Sequence, residues 1–142
     1  MDQYLQAIPG AQQLFDWFGY WPSFHDAEVL SIELNRSGPS KIQVHTFAMT
    51  DVVNSKGFYT CDKHCIVTFV FEEIAGIQLA HFNHQNALCD LDLHQEKDEF
   101  VFDLAPAHGV EGKIRAKTVG IEMTPGIPPD SQYKSSESEL TS

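Results

Sequence analysis

The stretch GYWPSFHDAEVLSIEL, residues 19–34, decides how this chain begins its fold. Gly19 can adopt a positive φ angle and so end a preceding helix. Pro22 keeps Trp21 out of the helical region and prevents the helix from continuing. The following residues, VLSIEL at positions 29–34, alternate with the period of two that is typical of a half-buried β-strand. The stretch therefore predicts the end of a helix, a turn and a first strand.

Aromatic and polar side chains are concentrated at this junction between helix and strand. The junction comprises Trp17, Trp21, Phe24, His25, Asp26 and Glu28. Aromatic rings with polar tips suit a packed corner in which each indole N–H finds an acceptor, and they also suit a binding site. An acid–base pair of His25 with Asp26 is the less favoured interpretation, because adjacent strand residues point to opposite faces. We expect Asp26 to cap backbone N–H groups of the turn instead.

Two segments of the sequence resemble a known protein family. WPSFHDAEVLSIEL, at residues 21–34, resembles the signature of the immunity protein 50 family, which is found beside bacterial polymorphic toxins. AHGVEGKIRAKTVGIEM, at residues 107–123, is similar to the C-terminal part of that family, a Gly-x-x-Gly turn followed by a strand. The resemblance implies a non-catalytic protein that binds a cognate toxin domain and neutralises it by direct contact.

Composition indicates one domain in a reducing compartment. With 142 residues, of which 42% are hydrophobic and ten are phenylalanine, the chain can bury a single core. It contains no apolar run of about eighteen residues, the length that a membrane span requires. The N-terminal sequence MDQYLQAIPG lacks a basic region and an apolar region, so no secretory signal is expected. Three cysteines argue against a disulfide framework. These features predict a cytoplasmic protein.

The net charge of −11 is unusually informative about partners. A surface this negative repels nucleic acid and anionic membranes and attracts basic proteins. An acidic surface also keeps a protein in solution, and this simpler explanation carries equal weight. We therefore expect no nucleic-acid partner and no membrane partner.

The rest of the sequence predicts one short helix and a series of short strands. Residues 9–18 show one apolar helical face. The strands that follow are separated by turns or by a long loop at residues 51–63, which could include a short strand at Phe58 and Tyr59. Gly76 is expected to separate a central strand at residues 65–71 from another at residues 77–82. In the last strand the apolar parity changes near Lys117, which predicts a bulge or bend.

This pattern predicts a mainly β domain of about seven antiparallel strands with one short N-terminal helix. A β-sandwich or a strongly bent sheet is favoured over a barrel. The single domain is expected to span residues 1–125, and residues 126–142 to form a disordered acidic and polar tail.

Two further clusters could bind a partner or a ligand. The outward side of one predicted hairpin carries a set of acids: Asp90, Asp92, Glu96, Asp98, Glu99 and Asp103. These acids could meet a basic toxin, although a solvated strand face needs charged residues in any case. Cys61, His64 and Cys65 have the spacing of zinc ligands, but a fourth ligand would have to come from His81, His84 or Cys89.

No metal, cofactor or catalytic residue is therefore assigned from the sequence. The alternative to toxin binding is a small β-domain that binds a small ligand or a metal, or an enzyme of unassigned activity. A concave pocket lined by Trp21, His25 and Asp26 would favour that alternative.

Overall fold

The computed structural model describes residues 1–133 as two short helices and six antiparallel strands. The elements in chain order are α1 (Gln3–Gln6), α2 (Ala11–Phe18), β1 (Glu28–Glu33), β2 (Ser40–Val53), β3 (Tyr59–Ala80), β4 (Ala87–Glu96), β5 (Glu99–His108) and β6 (Glu111–Pro125). The strands follow one another in the order β1-β2-β3-β6-β5-β4, and the sheet closes into a barrel between β4 and β1. Residues 134–142 of the predicted tail lie outside the described residues.

The prediction of a mainly β, antiparallel fold is confirmed, with six strands where about seven were expected and two helices where one was expected. The predicted break at Gly76 is wrong, because β3 runs through it and only shifts its register between Ile74 and Gly76. The predicted loop at residues 51–63 is also wrong. Both strands extend into it and form a hairpin, in which the backbone N–H of Asn54 donates to the carbonyl of Phe58.

The sheet closes where β1 and β4 pair over a short length of chain. Glu28 of β1 pairs with Ala87 of β4, and the N–H of Val29 donates to the carbonyl of Asn86 at 3.0 Å. The single sheet is strongly bent, as predicted, but it closes into a barrel, which is the arrangement that the sequence did not favour. The sequence does not predict closure, because the contact joins strands that are far apart in the chain.

Helix α2 packs one apolar face into the core and is fixed at both ends. Ala11, Leu14 and Phe18 are buried. A Cβ atom at Gly10 would lie 1.7 Å from the carbonyl oxygen of Ile121, so only glycine allows this approach to β6. At the other end Gly19 adopts a φ of 83°, which confirms the predicted helix stop. Neither described helix is long and apolar enough to cross a membrane.

The parity change predicted in the last strand is confirmed. Ile114 and Ala116 are buried, and the next buried residues of β6 are Val119 and Ile121. The register of β3 with β6 shifts close to this change, between Ile74 and Gly76, which pair with Ala116 and Arg115.

Candidate functional site

The aromatic part of the junction is a packed corner. Phe24 is 1% exposed, and its ring lies 5.8 Å from that of Phe69 in the barrel core. Trp21 is partly buried and contacts Phe24 edge to face at 6.2 Å. The indole N–H of Trp17 donates to the carbonyl of Lys63 at 2.8 Å. These contacts anchor the helix and the turn on β3.

The polar residues of the turn do not form a hydrogen-bonded acid–base pair. Nε2 of His25 lies 3.8 Å from Oδ2 of Asp26, and both side chains are exposed. Nδ1 of His25 is instead 3.0 Å from the carbonyl oxygen of Cys89 on β4, where an N–H would donate. The backbone N–H of His25 donates to the hydroxyl of Ser23 at 3.2 Å. Ser23 therefore has the capping role that was expected of Asp26.

Glu28, the last junction residue, belongs to a buried polar network that the sequence analysis missed. Glu28 lies opposite His45 on β2, and its Oε1 is 2.8 Å from Nδ1 of His45. Nε2 of His45 lies 2.9 Å from Nδ1 of His64 on β3. With a neutral His45 that donates from Nδ1, Nε2 is an acceptor and His64 is the donor. The network therefore links three neighbouring strands.

This network lies on the outer face of the barrel and is nevertheless buried. Val44 and Cys65 belong to the core, so their chain neighbours His45 and His64 point to the opposite face. His45 is 0% exposed and His64 is 7% exposed. Something must therefore cover this part of the outer surface.

The cover is residues 126–133, which we call the C-terminal strap. The hydroxyl of Ser131 donates to Oε1 of Glu28 at 2.6 Å, and the hydroxyl of Tyr133 donates to the carbonyl of Asp26 at 3.3 Å. The Tyr133 ring lies 4.4 Å from the ring of Phe47 and 5.9 Å from that of His45. The strap thus packs on the barrel, and the expectation of a disordered tail does not describe these eight residues.

Burial and hydrogen bonding change the pKa values of two groups where the strap meets the barrel. Burial raises the pKa of the Tyr133 hydroxyl to about 12, so the phenol stays protonated. Burial alone would raise the pKa of Glu28, but hydrogen bonds from His45 and Ser131 outweigh it and lower that pKa below its ordinary value. Glu28 is therefore an ionised acceptor at neutral pH.

The possible zinc ligands do not converge. Cys65 faces the core, where burial raises the pKa of its thiol to about 12, whereas His64 faces outward. His81 lies 3.3 Å from Glu111, and Cys89 is exposed on β4. Within residues 1–133 no group of three His, Cys, Asp or Glu side chains could hold a metal ion.

The predicted acidic hairpin exists as β4 and β5, but bases from the next strand pair with several of its acids. Arg115 contacts Glu96 at 2.7 Å and lowers the pKa of that exposed carboxyl. Lys117 lies 3.8 Å from Asp98, and Lys113 lies 4.0 Å from Asp103.

The other acids of this hairpin differ in their surroundings. Oδ2 of Asp92 lies 2.6 Å from Nδ1 of His94. Asp90 is exposed and Glu99 is partly buried. The outward surface is therefore a mixed-charge surface of six acids with Lys113, Arg115 and Lys117, and not a purely negative patch.

The hairpin between β2 and β3 forms a projecting arm, residues 48–62. The pairing of β3 with β6 ends at Cys65 and Pro125, so the described part of β6 does not reach the arm. Large apolar side chains are exposed along it, namely Met49, Val52, Val53, Phe58 and Tyr59. The sequence analysis missed this feature because its glycine, asparagine and serine residues suggested a loop.

The fold and its surface together define a small, acidic, mainly β domain. The family model of immunity protein 50 matches residues 10–125, which is more than half of the chain. The chain belongs to the immunity protein 50 family. Searches of curated proteins and of solved structures each gave no match. The matched region includes Glu28, His45 and His64, while the strap that covers them follows it.

Proposed function

We propose that this protein is an immunity protein that binds a cognate toxin domain and neutralises it by direct contact, without catalysis of its own. Membership of the immunity protein 50 family carries the proposal. Neutralisation by contact requires a surface with apolar anchors and complementary charge. The projecting arm and the mixed-charge hairpin offer surfaces of these two kinds.

The charge of the chain supports a basic partner. A net charge of −11 attracts a cationic domain over a distance of several ångströms and raises its association rate. We propose that the acids of β4 and β5 contribute to this steering. Their pairing with bases reduces the local field, so the effect of any one acid is small.

We further propose that the protein acts in the cytoplasm of the producing cell. Within residues 1–133 no disulfide is formed by the three cysteines, Cys61, Cys65 and Cys89. Free thiols persist in a reducing compartment, which supports this location.

Co-expression tests the proposal directly. The probe is the product of a toxin-like reading frame next to the gene, expressed with and without this protein. We expect the protein to restore growth and to co-purify with the toxin as a stable complex. Restored growth without a complex would contradict neutralisation by contact, because it would require an action on the toxin's target or product. A stable complex without restored growth would contradict neutralisation.

A further inference from the structure

The projecting arm concentrates exposed apolar surface that the barrel does not need. The exposed fractions are 58% for Met49, 57% for Val52, 54% for Val53, 68% for Phe58 and 61% for Tyr59. Together these side chains expose an area on the order of 500 Å², as large as the functional apolar patches of monomeric proteins. One partner in a standard interface contributes roughly 800 Å². The arm alone thus supplies a large part of one interface.

Three of these residues share one face of the arm. Met49 is paired with Cys61, and Val53 is paired with Tyr59, which lies two residues from Cys61 on β3. Thr60 points to the other face and is 5% exposed. Met49, Val53 and Tyr59 therefore form one exposed apolar face that a partner surface can cover.

The structure fixes the arm at its base and at its turn. The hydroxyls of Thr50 and Thr60 are hydrogen bonded across the two strands, and Thr60 also donates to the carbonyl of Val52. Near the base, the indole N–H of Trp17 donates to the backbone carbonyl of Lys63. At the turn, Oδ1 of Asn54 accepts the backbone N–H groups of Lys56 and Phe58. A fixed arm loses little conformational entropy on binding.

The charge of the chain decides between two occupants of this surface. A second copy of the chain carries the same charge of −11, so self-association through the arm is opposed by repulsion. A basic partner is attracted by the same charge. Asp51 and Asp62, both exposed on the arm, add negative charge beside the apolar residues.

We propose that the apolar face of the arm packs on an apolar surface of the cognate toxin domain and that this surface has a basic rim. The proposal rests on the proposed function and identifies the anchor of that interaction. Phe58 and Tyr59 are the central contacts, because aromatic side chains carry most of the energy in protein interfaces. Asp51 and Asp62 meet the basic rim.

The test compares two matched double variants against the purified toxin domain. The arm variant is Phe58→Ala with Tyr59→Ala. The control is Tyr20→Ala with Phe82→Ala, which removes two other exposed aromatics, 50% and 55% exposed, outside the arm. We expect the dissociation constant to rise about 100-fold or more for the arm variant and to change less than about threefold for the control. Thermal unfolding and circular dichroism of each variant establish that it is folded.

Val53→Glu provides an independent variant, since it places a charge beside Tyr59, its partner across the two strands, without removing an aromatic ring. It is expected to weaken binding to a similar extent. Unchanged affinity for both arm variants would overturn the inference, as would a loss confined to the control variant. Dimers of the wild-type chain that the arm variant abolishes would identify a second copy as the occupant and also overturn it. A wild-type chain that does not bind the toxin at all would overturn the proposed function itself.

Discussion

His45 directs Nδ1 at Oε1 of Glu28 across 2.8 Å, and the same carboxylate oxygen accepts the hydroxyl of Ser131 at 2.6 Å. This contact joins three parts of the chain that are distant in sequence. Glu28 ends the junction motif, His45 lies in the next strand, and Ser131 belongs to the C-terminal strap. The carboxylate of Glu28 is thus the point at which the junction motif holds the strap against the barrel.

Substitution of Glu28 should destabilise the fold. Glu28→Gln keeps the shape of the side chain but removes the negative charge of the carboxylate, whose oxygen accepts both hydrogen bonds. Because hydrogen bonds to charged groups are the stronger ones, we expect a loss of about 1–3 kcal/mol in the free energy of unfolding. Urea denaturation measures it. Glu122→Gln, on the exposed side of β6, is the control and should change stability by less than about 0.5 kcal/mol. Equal stabilities of the two variants would contradict the role of Glu28.

The stability of the protein should depend on pH through the same residue. The pKa of Glu28 is lowered in the folded protein by its hydrogen bonds, although burial opposes the shift. A carboxyl group whose pKa is lowered on folding makes its full contribution to stability at pH values above its unfolded pKa, about 4.3. That contribution is lost as the pH falls through the lower folded pKa. Melting temperatures of the wild type should therefore decline more steeply than those of Glu28→Gln on acidification from about pH 5. Parallel curves would show that Glu28 is not the group involved.

Removal of the strap should destabilise the barrel. A chain that ends at residue 125 loses the hydrogen bonds of Ser131 and Tyr133 and exposes Phe47 and His45. We expect a loss of about 2–4 kcal/mol relative to a chain that ends at residue 133. Equilibrium unfolding of the two truncated chains measures the difference. A disordered segment would make no difference, so identical unfolding curves would restore the original prediction for residues 126–133.

The sequence predicted features whose causes are local. Gly19 ends α2 because the helix stop needs only a positive φ, and the parity of residues 114–121 is visible in the sequence itself. The network of Glu28, His45 and His64 could not be predicted, because its members lie 17 and 19 residues apart and meet only through strand register. His45 read as an ordinary polar residue of an exposed strand face, since the strap that buries it has a polar composition.

The ion pairs of the acidic hairpin could not be predicted from the sequence for the same reason. The bases of β6 meet the acids of β4 and β5 only once the order of strands in the sheet is known. A sequence shows the charges, whereas the fold decides which of them are neighbours.

Phe24 and Trp21 should differ in their contribution to stability. The sequence places both residues in one corner, but Phe24 is 1% exposed whereas Trp21 is only partly buried. Phe24→Ala is expected to cost about 3–5 kcal/mol, as a large deletion in a core does. Trp21→Ala should cost less, because part of its ring already contacts water. Chemical denaturation of the two variants gives the order, and a larger loss for Trp21→Ala would contradict this account of the corner.

The acids of β4 and β5 should affect the rate at which the toxin domain binds. Neutralising the whole set leaves Lys113, Arg115 and Lys117 uncompensated, so the surface changes from acidic to basic. The variant replaces the following residues by their amides: Asp90, Asp92, Glu96, Asp98, Glu99 and Asp103. We expect slower association with a basic toxin domain and a weaker dependence on ionic strength. The dissociation rate should change little, because exposed charges at the rim of an interface act mainly on association.

The single variant Asp92→Asn is the control for this experiment. Asp92 is exposed and its carboxylate lies 2.6 Å from Nδ1 of His94. Exposed pairs of this kind contribute only about 0–1 kcal/mol. Its association rate should therefore match that of the wild type. Stopped-flow or surface-binding measurements at several salt concentrations give the rates and their slopes. If the multiple variant associates as fast as the wild type and with the same slope, these acids do not steer the partner. The net charge of −11 would then act through other acids, of which Asp51 and Asp62 on the arm are the first to substitute.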